Sequence, residues 1–179
     1  MEAKHCMVDC ETWGTNNEAV IISIGAVLFD PYAQHTVGES FHVAIDPSSC
    51  TFYGLKPDMT TIMWWMGEER DEARKTHMEQ EQIDLASALD GFISWFGEDK
   101  PVWGYGAVFD NVILRSAFRL VGLKCPWSFR NDRCFRTFTY LAPLVPRPTN
   151  GGVVHHALDD AKSQAYWLQA IRLALGCSV

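Results

Sequence analysis

Residues 19–29, the stretch Ala19-Val20-Ile21-Ile22-Ser23-Ile24-Gly25-Ala26-Val27-Leu28-Phe29, constrain the fold more than any other part of the chain. The run is apolar on both alternating faces and rich in β-branched residues, which makes it a strand too apolar for a sheet edge. Asp30-Pro31 breaks it. On one side a shorter strand is expected over about residues 5–11. On the other, over about 37–45, Phe41, Val43 and Ile45 alternate with Ser40, His42 and Ala44 until Asp46-Pro47 ends the pattern. The links between the three are short, so they read as an antiparallel meander.

The remainder turns helical. Pro57-Asp58 precedes a short helix from Met59 to Met66, and residues 68–81 form a charged helix or a mobile loop. Leu85, Leu89, Phe92 and Phe96 recur at helical spacing, with Asp84 placed to cap that helix. A short strand over 101–104, a helix over about 109–121, and a strand or loop over 131–138 come next. The last of these leads into a helix stopped by the prolines of 143–148. A final helix over about 157–175 sets Leu158, Ala161, Ala165, Leu168 and Leu175 on one face. This order describes an α/β domain with a mixed sheet, and residues 1–179 are expected to form one domain.

No apolar run approaches the ~20 residues a membrane span needs, and Met1-Glu2-Ala3-Lys4-His5 carries no secretory pattern, so a cytoplasmic protein with no membrane partner is the default. Cys6, Cys10, Cys50, Cys125, Cys134 and Cys177 lack the spacing of a structural zinc site and read as reduced, small hydrophobes. The net charge of −7 is uneven: residues 115–147 hold seven Lys/Arg against Asp132, a local +6 that leaves −13 elsewhere. A basic stretch on an acidic body suits either phosphate steering or a plain solvated surface.

Chemistry concentrates on four acids and a histidine. Asp9 and Glu11 are two apart on the first strand, so their carboxylates share a face. Like charges on a buried strand are costly without a cation, and an all-oxygen ligand set suits Mg²⁺ or Mn²⁺. Asp110 follows the short strand at the start of a helix, where it is either a functional acid or a helix cap. After Asn150-Gly151-Gly152, His155 and His156 precede Asp159 and Asp160. Either acid could simply stabilise the first turn of the last helix.

Taken in order, these residues resemble the motifs of DEDDh-type 3′–5′ exonucleases of the RNase T-like superfamily. Asp9-x-Glu11-Thr12 matches the first motif, Phe109-Asp110 the second, and His155-x-Ala157-x-x-Asp160-Ala161 the third, so the likeness runs over nearly the whole domain. The compact length and Thr61-Ile62-Met63-Trp64-Trp65 are similar to the small exoribonuclease subgroup. One departure is Gly106, where members often carry Asn.

The resemblance implies an RNase H-like mixed β-sheet flanked by α-helices, and phosphodiester hydrolysis that releases nucleoside 5′-monophosphates. It also implies two Mg²⁺ or Mn²⁺ ions about 4 Å apart, held by Asp9, Glu11, Asp110 and Asp160, with His155 as general base. The motif spacing selects Asp160 over Asp159, and leaves His156 structural or solvent-facing. Gly151 and Gly152 would let the histidine loop open and close. Thr12 and Trp13 lie where the family grips the terminal nucleotide, and Phe109 and Trp64 join them as expected substrate contacts. Trp13 either stacks on the last base, a contact worth ~1–3 kcal/mol, or is a rim residue. Trp64 and Trp65 either wall the site or fill core, whereas Trp95, Trp103 and Trp167 read as core. Arg115, Arg133 and Arg136 are the phosphate candidates.

The expected substrate is a single-stranded 3′ end, with RNA ahead of DNA by analogy. Relatives are often dimers, so a homodimer is an open expectation. A non-catalytic nucleic-acid-binding module on the same fold, or a DNA-specific exonuclease, is the alternative. An RNase H-type endonuclease draws its second acid from a helix, which the Asp9/Glu11 spacing opposes.

Overall fold

A computed structural model describes residues 5–148 and 152–176. The readings that fell on Met1–Lys4, on Asn150 and Gly151, and on Cys177 lie outside those residues.

Among the described residues six strands form one sheet: β1 (His5–Thr12), β2 (Ile21–Phe29), β3 (Ser40–Ile45), β4 (Gln82–Ile83), β5 (Val102–Gly104) and β6 (Asp132–Cys134), in the order β4-β3-β2-β1-β5-β6. The expected antiparallel meander is present, because β2 pairs antiparallel with both β1 and β3. The remaining strands add in parallel: β5 on β1, β6 on β5, and β4 on β3. The apolar run at 19–29 is interior, as its composition required, although the regular ladder starts at Ile21.

Among the described residues seven α-helices surround the sheet: α1 (Pro47–Phe52), α2 (Met59–Trp65), α3 (Asp71–Glu79), α4 (Leu85–Phe96), α5 (Asp110–Val121), α6 (Phe135–Tyr140) and α7 (Ala157–Ala174). Two elements lack a counterpart in the sequence reading. Helix α1 forms where Asp46-Pro47 reads as a strand stop, because Asp46 accepts the Ser48 N–H, Pro47 presets the first turn, and Cys50 buries against β2, its Sγ donating to Ile21 O at 3.3 Å. Strand β4, two residues long, is below what a pattern can signal. The charged stretch at 68–81 resolves into a 3₁₀ turn (Glu68–Arg70) followed by α3. Asp84 caps α4 as expected, accepting the Ser87 N–H at 3.1 Å. Leu175, expected on the buried face of α7, sits just past its end and is 42% exposed.

Alternation along β1 divides the core and aims the site. Cys6, Val8 and Cys10 pack with Ile22, Ile24 and Ala26 beneath α4 and α5. Met7 faces the other way, with Val27 and Phe29, against Phe135 of α6 and Ala161, Ala165, Leu168 and Ile171 of α7. Asp9 and Glu11 continue the Met7 face, which carries both carboxylates toward the start of α7.

Candidate active site

Three elements deliver the four acids. Asp9 and Glu11 come from the end of β1, beside a register break between Glu11 and Thr12 that interrupts the ladder. Asp110 opens α5. A Cβ on Gly104, at the end of β5, would lie 2.9 Å from Asp110 Oδ2 and 2.6 Å from Asn111 Oδ1, so the bare glycine leaves space for that turn. Asp160 sits in the first turn of α7. That helix start can approach the sheet because Gly25, paired with Asp9 across β1 and β2, has no side chain: a Cβ there would lie 2.2 Å from the Ala157 backbone.

Asp9, Glu11, Asp110, His155 and Asp160 line one cavity of about 310 Å³. Ligand atoms of Glu11, His155 and Asp160 lie within 4.8 Å of one another. Asp110 is not the cap of its helix, since Phe109 holds that position. Its Oδ1 instead accepts the Cys10 N–H at 3.1 Å, tying α5 to β1. Asp160 Oδ2 accepts the His155 N–H at 2.9 Å, which fixes the histidine loop to the helix it precedes. His155 has φ 64, a left-handed backbone that histidine adopts at some cost and that is found at functional positions.

Burial and crowding dominate the electrostatics. Asp9 is raised well above the ordinary carboxylate range by burial first, then by Asp110, Glu11 and Asp160, and the Gln164 side chain at 2.7 Å only partly relieves it. Burial, with Asp160 and Asp110, pushes Glu11 up to about 8. Burial likewise carries Asp110 to about 7, against the opposing N–H of Cys10. Anions crowded into a low-dielectric site either take up protons or bind cations. The donors are all carboxylate oxygen apart from one imidazole, so the residues fit hard divalent ions such as Mg²⁺ or Mn²⁺. His155 is lowered by burial and by Arg70 and Arg147, with Asp160 pulling the other way, so its imidazole is neutral at neutral pH.

A second cavity, of about 380 Å³, adjoins the first, and Glu11 and Phe109 line both. Thr12, Thr60, Thr61, Trp64 and Trp65 are among its other lining residues, and its walls are largely apolar. Thr12 serves the frame, its hydroxyl donating to Gly14 O at 2.7 Å while its carbonyl accepts Trp65 Nε1 at 2.9 Å. Trp65 is core, 4% exposed. Trp64 stands at the rim, edge-on to the His155 ring with centroids 5.0 Å apart and with the Arg70 guanidinium 3.7 Å above its own ring.

Trp13 does not join this wall. It lines a separate cavity with Ile62, Met66 and Met78, because its N–H bonds Val20 O and its carbonyl accepts the Asp58 N–H, which pins it between β2 and α2. Trp95, Trp103 and Trp167 pack against the two cores as expected. His156 is structural: its Nδ1 lies 3.2 Å from Asp159 Oδ2, and its ring centroid is 4.5 Å from that of His42. Asp159 also accepts the Val153 N–H at 3.1 Å, closing the turn that presents His155.

The basic stretch divides in the same way. Arg115 is committed to Asp132 at 3.1 Å, and Arg133 to backbone carbonyls of Arg130 and Asp132. Arg136 reaches the carboxylate cavity, lying 3.3 Å from where a Cβ at Gly106 would project and donating to Tyr105 O at 2.8 Å. Arg147 and Gln164 also line that cavity, and sequence reasoning missed both. Gln164 had a signal, since it lies one turn beyond Asp160 on the same face of α7.

A mixed sheet carrying four carboxylates and a histidine in this order defines a class, the DEDDh exonuclease fold. Solved structures agree on that fold. E. coli exonuclease I, in complex with a 5cy-dT13 oligonucleotide, superposes with a TM-score of 0.67 at 17% identity over 97% of this chain. The chain spans only 41% of that protein's length. The nuclease domain of 3′hExo, a DEDDh family member bound to rAMP, gives 0.62 at 17% identity, covering 98% of this chain and 94% of that one. Exonuclease X in complex with 5′ overhanging duplex DNA gives 0.53 at 15% identity, covering 97% and 94%.

The chain belongs to the 3′–5′ exoribonuclease Rv2179c-like domain family, whose model matches residues 4–172. It is thus a hydrolase of the 3′–5′ exonuclease class. It is also 27% identical to the exodeoxyribonuclease of Enterobacteria phage T4, over 95% of this chain and 90% of that protein. Among the described residues no helix is long and apolar enough to cross a membrane.

Proposed function

We propose that this protein is a metal-dependent exoribonuclease that shortens single-stranded RNA from its 3′ end and releases nucleoside 5′-monophosphates. The observation that carries the reading is the junction of two cavities, one holding four carboxylates and His155, the other apolar and large enough for a nucleoside. Asp9, Glu11, Asp110 and Asp160 are the residues that would hold two divalent ions. Such ions, when bound, polarise the scissile phosphate and make bound water acidic enough to attack at neutral pH.

The chain's own groups do the rest. His155, neutral and fixed by its backbone bond to Asp160, accepts the proton of the attacking water. Its edge contact with Trp64 limits how the ring can turn. Trp64 and Phe109 supply flat apolar surface for the terminal base, and Phe109 stands between the base cavity and the phosphate cavity. Gln164 holds Asp9 in one rotamer through its 2.7 Å bond. The enclosing of one terminal nucleoside favours an end over an internal bond.

RNA is favoured by the family's own description. A second reading, a DNA exonuclease, is favoured by the phage T4 relative. The test incubates 5′-labelled single-stranded RNA and DNA of one sequence with Mg²⁺, Mn²⁺ or EDTA. A ladder shortening from the 3′ end, faster on RNA and absent with EDTA, is the expected result. Faster shortening of DNA would install the second reading. Equal rates for wild type, Asp9→Ala and His155→Ala would remove the site assignment.

A further inference from the structure

Arg147 brings a fixed positive charge into direct contact with one acid of the carboxylate cavity. Its Nη2 donates to Asp160 Oδ1 in a close ion pair, and its Nε donates to Ser163 Oγ at 2.9 Å. The other oxygen of Asp160 accepts the His155 N–H, so each oxygen of this acid already has a partner. The guanidinium is bracketed by Pro146 and Pro148, whose fixed φ limits the local backbone and leaves side-chain rotation as the easy movement. Its side chain is 45% exposed while that of Asp160 is 12% exposed, so the guanidinium can swing toward solvent and the carboxylate cannot follow.

Charge decides how this pair responds to other cations. Asp160 is paired with a fixed positive charge, because a guanidinium does not titrate in the working range. Divalent ions drawn to Asp160 meet that charge at contact range, and like charges in a low-dielectric cavity repel strongly. An arriving phosphodiester restores negative charge on the same cavity wall, and a guanidinium pairs with phosphate oxygens through its forked donors.

We propose that Arg147 is an exchangeable counter-charge: it neutralises Asp160 in the metal-free protein, opposes divalent-ion binding there, and transfers to a phosphate oxygen of the bound nucleic acid. Metal and phosphate binding are thereby linked through one side chain, since each removes the reason for the guanidinium to stay on Asp160. The idea rests on the metal site of the proposed function.

The test titrates Mn²⁺ by calorimetry into the full chain, with and without adenosine 5′-monophosphate, for wild type, Arg147→Gln, Arg147→Lys and Asp9→Asn. Without nucleotide, Arg147→Gln should bind Mn²⁺ about tenfold more tightly than wild type. Arg147→Lys, which keeps the charge, should stay near the wild-type value. With nucleotide present the advantage of Arg147→Gln should vanish or reverse, because the wild-type guanidinium then contributes to holding the phosphate. Thermal melts check that each variant is folded. Mn²⁺ affinity in folded Arg147→Gln equal to or weaker than wild type would overturn the exchange. Mn²⁺ binding that is absent in wild type, or unchanged in Asp9→Asn, would instead overturn the metal site on which it depends.

Discussion

Two clusters of titratable side chains lie back to back in this protein, and they respond to burial in opposite directions. On one side, Asp9, Glu11, Asp110 and Asp160 surround a cavity of about 310 Å³. On the other, His42 of β3, His77 of α3 and His156 at the start of α7 surround a gap of about 10 Å³, with Glu11 and His155 shared between the two. Burial disfavours charge in both places, so it raises Asp9, Glu11 and Asp110 and lowers His42 and His77: Glu11 rises to about 8 while His42 falls to about 4. The carboxylates keep a demand for positive charge and have room to receive it. His42 and His77 shed their charge, and the gap has room for about one water. Among the described residues, His42 Nε2 and His77 Nε2 find no hydrogen-bond partner there. Residue type alone would mark both clusters as functional. Accessible volume and the sign of the demand separate them.

The largest effect expected from this contrast is on turnover. His155→Ala should lower kcat by about 10²–10⁴-fold, the usual cost of removing a general base. His77→Gln, in the neighbouring cluster, should leave kcat within about threefold, because the change lies away from the reacting atoms and alters packing alone. Both are read from initial rates on a labelled 3′ end. A loss in His77→Gln comparable to that in His155→Ala would make the histidine cluster part of the machinery and break the contrast.

Much of this site was legible in the sequence, for a physical reason. Asp9 and Glu11 needed only the two-residue repeat of a strand, and Asp110 and Asp160 each lie in the first turn of a helix whose start the pattern located. The meander was legible because residues 19–29 are too apolar for any position but the sheet interior. What escaped depends on contacts far apart in the chain. Arg147 meets Asp160 across a loop, so no local spacing reveals it. Trp13 follows β1 directly yet turns away, because Val20 and Asp58 hold its backbone. Helix α1 has weak intrinsic propensity and exists through its cap and the burial of Cys50, which is tertiary information. The basic stretch looked like one surface. Asp132 removes Arg115 from it, and only Arg136 and Arg147 reach the cavity.

A smaller effect sharpens the electrostatic side of the contrast. Glu11 and Asp110, at about 8 and about 7, hold protons in the folded chain that the unfolded chain releases near its ordinary carboxylate pKa. The folded state therefore binds more protons between about pH 4 and pH 8, and its stability falls as pH rises through that window. A histidine in the unfolded chain, with a pKa near 6.5, has lost most of its proton by about pH 7.5. Melts in EDTA from about pH 7.5 to 8.5 should therefore be dominated by the carboxylates and show Tm falling by a few degrees, about 2–4 °C for each kcal/mol lost. Glu11→Gln should flatten the slope, and added Mn²⁺ should remove it by supplying the missing charge. A Tm that rises over this range in EDTA would contradict the crowded-anion account.

The smallest effect expected lies on the acid side and belongs to the histidines. His42 is lowered to about 4 by burial first and then by His156, with Asp159 opposing and with His77 and Lys162 adding to the shift. Its ordinary value is near 6.5, so between those limits the unfolded chain binds the extra proton, and the folded state loses stability as pH falls from about 6.5 toward 4. The carboxylates push the other way over the same range, so the wild-type curve shows only the difference. The two separate by substitution: His42→Gln should lose less Tm than wild type between pH 6.5 and 4.5, by about 1–2 °C, a modest figure because the ring keeps partial access to solvent. Melts of the two proteins in one buffer series, with EDTA throughout, give the comparison. Parallel curves would mean that protonating His42 costs the fold nothing, and the second cluster would then be a solvated surface rather than a buried neutral one.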